Sequence, residues 1–321
     1  MSGKRRLMFL YNPKAGTGQI TAQLSDVLDT FVKAGYEVTV RPTQKYHDAY
    51  EQVRSLSDDF DLLVCAGGDG TLAEAVSGMV ERENRIPIGY IPCGSTNDFA
   101  LSLRIPMNIQ EAADNAVLGE PFQCDLGVFG EASFLYVAAF GLFTDVSYET
   151  KQEMKNVFGH MAYLLEGMKR LANIPSYRMR VKYDDHVIED DFAFGMVTNS
   201  RSVGGFRNMV NQKKIVFDDG LFEVTLIRYP KNPIELQAVI SALVLQQMDE
   251  RYVYSFQTEK IMFESRELVA WTLDGEYGGS HNRVRISDNK QAIRLMLPPK
   301  SIHRVSEKYI AEPDDDVPYT E

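Results

Sequence analysis

Leu62-Leu63-Val64-Cys65-Ala66-Gly67-Gly68-Asp69-Gly70-Thr71-Leu72 is the stretch on which the fold turns. Its opening apolar run, bounded by glycine, reads as a strand buried on both faces. Beyond the glycines Leu72, Ala75, Val76, Met79 and Val80 recur at helical spacing, so the strand passes through a tight turn straight into a helix. The unit repeats on both sides. Upstream, Leu7–Tyr11 reads as a strand, and Ile20, Leu24, Val27, Leu28, Phe31 and Val32 as one helical face ended by Gly35; Glu37–Val40 gives another strand, and Ala49, Tyr50, Val53 and Leu56 another helix. Downstream, Ile88–Ile91 is a strand. Asn108-Ile109-Gln110-Glu111 is a capping box opening a helix that turns Ala112, Ala113, Ala116 and Val117 inward and closes at Gly119. Repeated β-α units predict an α/β fold with a doubly wound parallel sheet, whose ligands sit at the carboxyl ends of the strands.

After about residue 122 the texture becomes β-rich, with runs at Phe134–Phe140, Tyr177–Tyr183, Phe192–Val197, Leu221–Tyr229, Lys260–Phe263 and Arg283–Ile286, interrupted by helical stretches at Tyr148–Ala172 and Pro233–Met248. A chain of 321 residues exceeds one usual core. Two domains are therefore expected: an α/β domain over 1–128, and a mainly antiparallel, β-sandwich-like domain over 129–299, with a cleft between them and residues 300–321 packing back on the first. No internal repeat is visible.

Against 45 Asp and Glu stand 34 Lys and Arg, a formal charge of −11, which disfavours nucleic acid as a partner. Cys65, Cys93 and Cys124 form no CxxC pair and sit in apolar stretches, as reduced cysteines of a cytoplasmic protein do. No apolar run approaches the ~18–20 residues of a membrane span. The start Met1–Arg6 is charged, but Leu7–Tyr11 is too short for a signal sequence. The tail Glu312–Glu321 is acidic and carries prolines, the composition of a frayed end.

Three strand ends carry polar, glycine-bearing loops, and a parallel sheet places all three at one edge. Gly67-Gly68-Asp69-Gly70-Thr71 lets backbone amides approach a polyphosphate at a helix N-terminus, with Asp69 holding Mg²⁺ or joining a carboxylate network; the bland reading is a tight turn with a capping Asp. Pro92-Cys93-Gly94-Ser95-Thr96-Asn97-Asp98 offers small hydroxyls and an amide to phosphate or ribose, or simply caps a helix. Asn12-Pro13-Lys14-Ala15-Gly16-Thr17-Gly18 is the third such loop.

Asn12 to Gly16, Gly67 to Thr71, Gly94-Ser95-Thr96-Asn97-Asp98-Phe99-Ala100 and Asp274-Gly275-Glu276 occur in the order found in a known family. The sequence resembles the soluble bacterial diacylglycerol kinase-like lipid kinases and, more distantly, sphingosine and ceramide kinases, from about residue 5 to residue 305. The GGDGT element is shared with NAD kinases; GSTNDFA with a late DGE is much more specific. The resemblance implies a nucleotide site on Asn12, Pro13, Lys14, Ala15 and Gly16, on Thr43, on Gly67, Gly68, Asp69, Gly70, Thr71, Leu72, Ala73 and Glu74, and on Ser95 and Asn97. It implies Glu276 as general base and an acidic network of Asp69, Asp98, Asp125 and Asp274. It also implies a structural Mg²⁺ at Asp219 with the main-chain carbonyls of Val216 and Leu221. The pattern departs from the family at Ser95-Thr96 and at Val216, neither of which removes a charged group.

Read without the family, Trp271-Thr272-Leu273 followed by Asp274-Gly275 is a strand entering a β-hairpin turn, and Asp218-Asp219-Gly220 is an exposed turn. His47, His160, His186, His281 and His303 form no ligand pair or triad. The basic residues Arg178, Arg180, Lys182, Arg201, Arg207, Lys213 and Lys214 read as solvated faces, with docking of anionic lipid headgroups as the sharper alternative. The helix carrying Ile234, Ala238, Val239, Leu243 and Val244 reads as core, with a membrane-lying face as the alternative. Taken with the resemblance, the expectation is a lipid kinase using ATP and Mg²⁺, cytoplasmic and touching the membrane surface only transiently to reach its lipid, with a sheet edge available for a homodimer. An NAD kinase and a non-enzymatic nucleotide or lipid sensor are the alternatives.

Overall fold

The computed structural model describes residues 4–142, 174–200, 202–203, 206–207, 216–245, 249 and 251–306. The helical stretch expected over Tyr148–Ala172, the residues His160, Arg201, Lys213 and Lys214, and the acidic tail lie outside the described residues.

The N-terminal part runs β1 (Arg5–Tyr11), α1 (Gln19–Ala22), α2 (Leu24–Lys33), β2 (Tyr36–Pro42), α3 (Asp48–Arg54), β3 (Leu62–Gly67), α4 (Asp69–Val80), β4 (Ile88–Pro92), α5 (Asp98–Ser102) and α6 (Ile109–Leu118). Its strands pair in parallel in the order β2-β1-β3-β4, with Leu7 opposite Leu62 and Leu63 opposite Ile88. Alternate side chains go to opposite faces. Leu7, Phe9, Val64 and Ile91 pack with α2 and α6 on one side, and Met8, Leu10, Leu63 and Cys65 pack with α3 and α4 on the other. One expected inward residue faces out: Val32 is 60% exposed. The chain breaks at Gln23 into two helices, so Ile20 belongs to a separate segment, and Val27 and Phe31 alone set the buried phase of α2. The N-cap half of the box forms, the Asn108 side chain accepting from the N–H groups of Gln110 and Glu111, without the reciprocal bond from the Asn108 N–H to the Glu111 carboxylate.

The second part comprises β5 (Glu120–Phe129), β6 (Ala132–Phe134), β7 (Val137–Gly141), β8 (Tyr177–Tyr183), β9 (His186–Thr198), β10 (Ser202–Val203), β11 (Phe206–Arg207), β12 (Phe222–Arg228), α7 (Pro233–Leu245), β13 (Val253–Thr258), β14 (Lys260–Leu273), β15 (Glu276–Leu297) and α8 (Pro299–Val305). Pairing within it is antiparallel, and Trp271, 1% exposed, centres its core with Phe129, Phe140 and Phe263 at ring distances of 5.2, 4.8 and 5.0 Å. On α7, Leu236 and Val239 are buried while Ile234 points outward.

Strand β15 joins the two parts. It pairs with β14 and β5 along its length, and at Leu295 it pairs in parallel with Ile88 of β4. The parallel sheet is thus continued by the antiparallel one. In α8, Ser301 Oγ donates to the Arg104 carbonyl at 3.3 Å and Val305 enters the same core as Leu103. Among the described residues no helix is long and apolar enough to cross a membrane.

Candidate functional site

Because β1 to β4 run in parallel, the loops after them meet at one edge of the sheet. The ladder continues past the strand ends: Asn12 N–H donates to the Ala66 carbonyl at 2.8 Å, Thr43 N–H to Tyr11 at 2.9 Å, and Cys93 N–H to Gly67 at 2.7 Å. Glycine permits the closest approaches. Gly16 has φ +55° and a Cβ there would run into the Cys93 carbonyl, while a Cβ on Gly94 would stand 2.7 Å from the Gly68 Cα. Asn12 Nδ2 donates to Thr71 Oγ1 at 3.2 Å, tying the first loop to the helix that follows the third strand.

These loops enclose a cleft of about 490 Å³. Asn12, Lys14, Ala15 and Gly16 line it from the first loop, Thr43 from the second, Gly68, Gly70, Thr71 and Glu74 from the third, Gly94 and Ser95 from the fourth, and Glu276 from the β14–β15 hairpin. Helix α4 begins at this cleft, capped by Gly68 with no side-chain oxygen on its first amides. A helix N-terminus of that kind attracts phosphate. Other predicted residues lie behind the lining. Gly67 is the buried end of β3, Leu72 is in the core, Ala73 is half-buried on α4, and Pro13 sits half-buried in its loop. Asn97 is buried and clasps Gly94, accepting its N–H at 2.8 Å and donating to its carbonyl at 3.0 Å, which shapes the loop that carries Ser95. Glu74 lines the cleft, but its two oxygens accept from the N–H groups of His47 and Ala49.

Behind the lining lie the carboxylates. Asp69 opens α4 and accepts from the N–H groups of Asp98 and Phe99 at 3.1 and 3.4 Å, locking α4 to the start of α5. Asp274 and Gly275 form the two-residue turn between β14 and β15 with φ values of 51° and 85°, the left-handed pair such hairpins require. The hairpin reading therefore holds, and the turn sets Glu276 at the cleft. Asp274 also turns its carboxylate inward, accepting from Leu135, Tyr136 and Val137 N–H at 2.6, 2.9 and 3.1 Å. The charges of Asp274, Asp69 and Asp98 all reach the buried Tyr136 phenol, whose pKa burial raises first and these carboxylates raise further.

Burial, opposed by backbone hydrogen bonds, pushes Asp69 and Asp274 up to about 6. Desolvation is the first cause at both sites, with Asp98 adding to the rise at Asp69 and Asp69 to the rise at Asp274. Each carboxyl holds a proton in the folded chain at a pH where the unfolded chain, titrating at about 4, has lost it. The stabilising contribution is complete below that value and is lost as pH rises through about 6. The urea midpoint of the metal-free protein is accordingly expected to fall between about pH 5 and about pH 7, and to fall less in Asp69→Asn. A midpoint that rises over this interval would contradict the assignment.

The expected acidic network separates into two groups. Asp125, fully buried, accepts from Gly220 N–H at 2.7 Å and Gln291 N–H at 2.6 Å, and its charged neighbours are Asp219 and Asp218. Asp219 accepts from Leu221 N–H at 2.9 Å, and Lys290 donates to the Asp219 carbonyl at 3.0 Å. Beside them both carboxylate oxygens of Asp288 are buried without a hydrogen-bond partner, and burial, aided by Asp125 and Asp219, pushes this group up to about 8. Such an orphaned carboxylate suits a cation. Among the described residues no three acidic, Cys or His side chains meet closely enough to hold one alone. A site here would need main-chain carbonyls as well, the donor set expected for Asp219, Val216 and Leu221.

Three participants escaped the sequence reading: Tyr136, Asp288 and Tyr46, whose hydroxyl donates to Glu276 Oε2 at 2.6 Å. Tyr136 falls inside a run legible only as a strand, and the other two carry no motif. The basic run on β8 is largely neutralised, Arg178 pairing with Asp191, Arg180 with Glu189 and Lys182 with Glu264, as a solvated face would be.

Comparison with known proteins places this build among the kinases. Residues 6–129 match the diacylglycerol kinase catalytic domain and residues 138–296 match the YegS C-terminal NAD kinase beta sandwich-like domain. A diacylglycerol kinase of Staphylococcus saprophyticus subsp. saprophyticus is 34% identical over 278 residues, 86% of this chain and 90% of the relative. One from Staphylococcus aureus (strain Newman) is 33% identical over 278 residues, 86% and 87% of the two chains. A solved diacylglycerol kinase from Bacillus anthracis str. Sterne shares the fold with a TM-score of 0.74 at 21% identity, covering 94% of this chain and 100% of that one; another chain from that organism reaches 0.80 at 24% identity, covering 94% and 99%. The chain belongs to the diacylglycerol kinase family, a family of lipid kinases for which ATP is the substrate that supplies phosphate.

Proposed function

We propose that this chain transfers the γ-phosphoryl group of ATP to a hydroxyl of diacylglycerol or a related lipid, in line and with Mg²⁺, Glu276 taking the hydroxyl proton. The observation that carries the reading is the placement of Glu276: a carboxylate from a distant hairpin enters the same cleft as the glycine-bearing loops of the parallel sheet. Residues 1–128 hold the nucleotide and residues 129–299 the lipid. Asn12 to Gly16, Thr43, Gly68 to Thr71 and Ser95 cradle the nucleotide through backbone and small polar groups, which is the positioning that phosphoryl transfer chiefly needs. Mg²⁺, when bound, neutralises charge developing on the transferred group. Asp69, accepting from the N–H groups of Asp98 and Phe99, holds together the two loops that would bear it. Glu276 is exposed and stands at the mouth, where a lipid hydroxyl can reach it from a membrane surface.

The test is transfer of labelled γ-phosphate to a panel of lipids in mixed micelles with Mg²⁺, beside NAD as a control acceptor. Labelled lipid supports the reading, label in NADP alone moves the chain to NAD phosphorylation, and ATP binding without transfer leaves a sensor. A structural cation at Asp219 has its own consequence. Mg²⁺ is expected to raise the thermal midpoint of the wild type by several degrees, and Asp219→Ala to abolish that rise, as thermal unfolding with and without Mg²⁺ will show.

A further inference from the structure

Tyr46 stands on the loop between β2 and α3 with 65% of its surface exposed, yet that loop is braced at every turn. Gln44 N–H donates to Asp48 Oδ2 at 2.6 Å, Lys45 pairs with Glu51 at 2.8 Å, and the two Glu74 oxygens grip the amides of His47 and Ala49 at 3.0 and 3.2 Å. His47, held at φ 62°, meets the Tyr46 ring edge-on at 4.4 Å. A braced loop thus carries the Tyr46 hydroxyl to Glu276 Oε2, across 230 residues of sequence. The other oxygen is turned elsewhere: Oε1 lies 3.5 Å from where a Cβ on Gly70 would stand, on the side of the glycine turn that opens α4.

We propose that Tyr46 is a positioning residue for the phosphoryl transfer, anchoring one oxygen of Glu276 so that the other faces the reacting lipid hydroxyl. The inference rests on the reading of Glu276 as general base. An exposed glutamate at the start of a strand has several rotamers, and one short hydrogen bond to a fixed donor selects among them. The bond is strong enough to push the Tyr46 phenol up to about 12, chiefly through the Glu276 hydrogen bond.

The experiment is a cycle of Tyr46→Phe, Glu276→Gln and the pair, assayed with labelled ATP and a diacylglycerol in mixed micelles, with ATP affinity measured separately by calorimetry. Tyr46→Phe is expected to lower kcat by roughly tenfold in the wild-type background, the scale of one hydrogen bond to a charged group, with ATP affinity within about twofold. It is expected to lower kcat no further in the Glu276→Gln background, and to leave KM for the lipid within about twofold. The other charged side chains around the cleft, Lys14, Lys45 and Glu74, with Asp274 behind the turn, are unchanged in the variant. An equal loss in both backgrounds, or a loss confined to KM, overturns the role of Tyr46 while leaving the base in place. Wild-type turnover in Glu276→Gln alone removes the base and this proposal with it.

Discussion

Glu276→Gln is expected to bind ATP as the wild type does and to turn over at least about a hundredfold more slowly, the usual scale for loss of a general base. The substitution is nearly isosteric, and an amide oxygen can still accept from the Tyr46 hydroxyl, so the cleft keeps its shape. What it loses is an atom able to take a proton at neutral pH. Nucleotide affinity should therefore stay within about twofold, because positioning by the loops is separate from proton removal. Single-turnover transfer measured beside calorimetric ATP binding reads both quantities. Turnover close to the wild-type value would remove Glu276 from the chemistry.

The second large effect is expected at Asp274. Its carboxylate is the acceptor for three consecutive amides, those of Leu135, Tyr136 and Val137, and its own N–H donates to the Val137 carbonyl at 2.9 Å. Asp274→Ala strands those donors. A buried donor left without a partner costs about 1–3 kcal/mol, and water at this half-buried turn offsets part of the sum, so a loss of about 3 kcal/mol is expected. The chain's single tryptophan, Trp271, lies buried three residues before the turn and reports the transition by fluorescence in urea. Turnover should fall as well, since the same turn aims Glu276. An unchanged urea midpoint would show that these hydrogen bonds contribute nothing net.

The N-terminal half was largely legible because three of its four strands, β1, β3 and β4, are buried on both faces and its helices carry period-3.6 stripes, patterns that survive in a single sequence. The break at Gln23 was not, since the apolar stripe runs on through it and the left-handed Gly18 that precedes α1 gives no phase signal. In the second half the short apolar runs at Lys260–Phe263 and Arg283–Ile286 are parts of much longer strands. Register shifts in β14 and β15 let charged residues such as Arg266 and Lys290 sit within them, which hides the alternation. Among the candidate site residues, the glycine loops stand out by composition. Asp274 and Glu276 did so only through the family, because Asp-Gly is also what a hairpin demands. Tyr46 and Asp288 depend on contacts made through space, and no local pattern encodes those.

The pairing of Leu295 with Ile88 bears on how the chain comes off the ribosome. The first four strands emerge early, yet the neighbour that covers the open side of β4 is some 200 residues further on. At roughly 5–20 residues per second the nascent N-terminal half waits on the order of 10–40 s with that side uncovered. Vectorial synthesis thus exposes a sheet edge that the finished molecule hides. A fragment that stops short of β15 should be recovered bound to chaperones or in aggregates, whereas the full chain should be released folded.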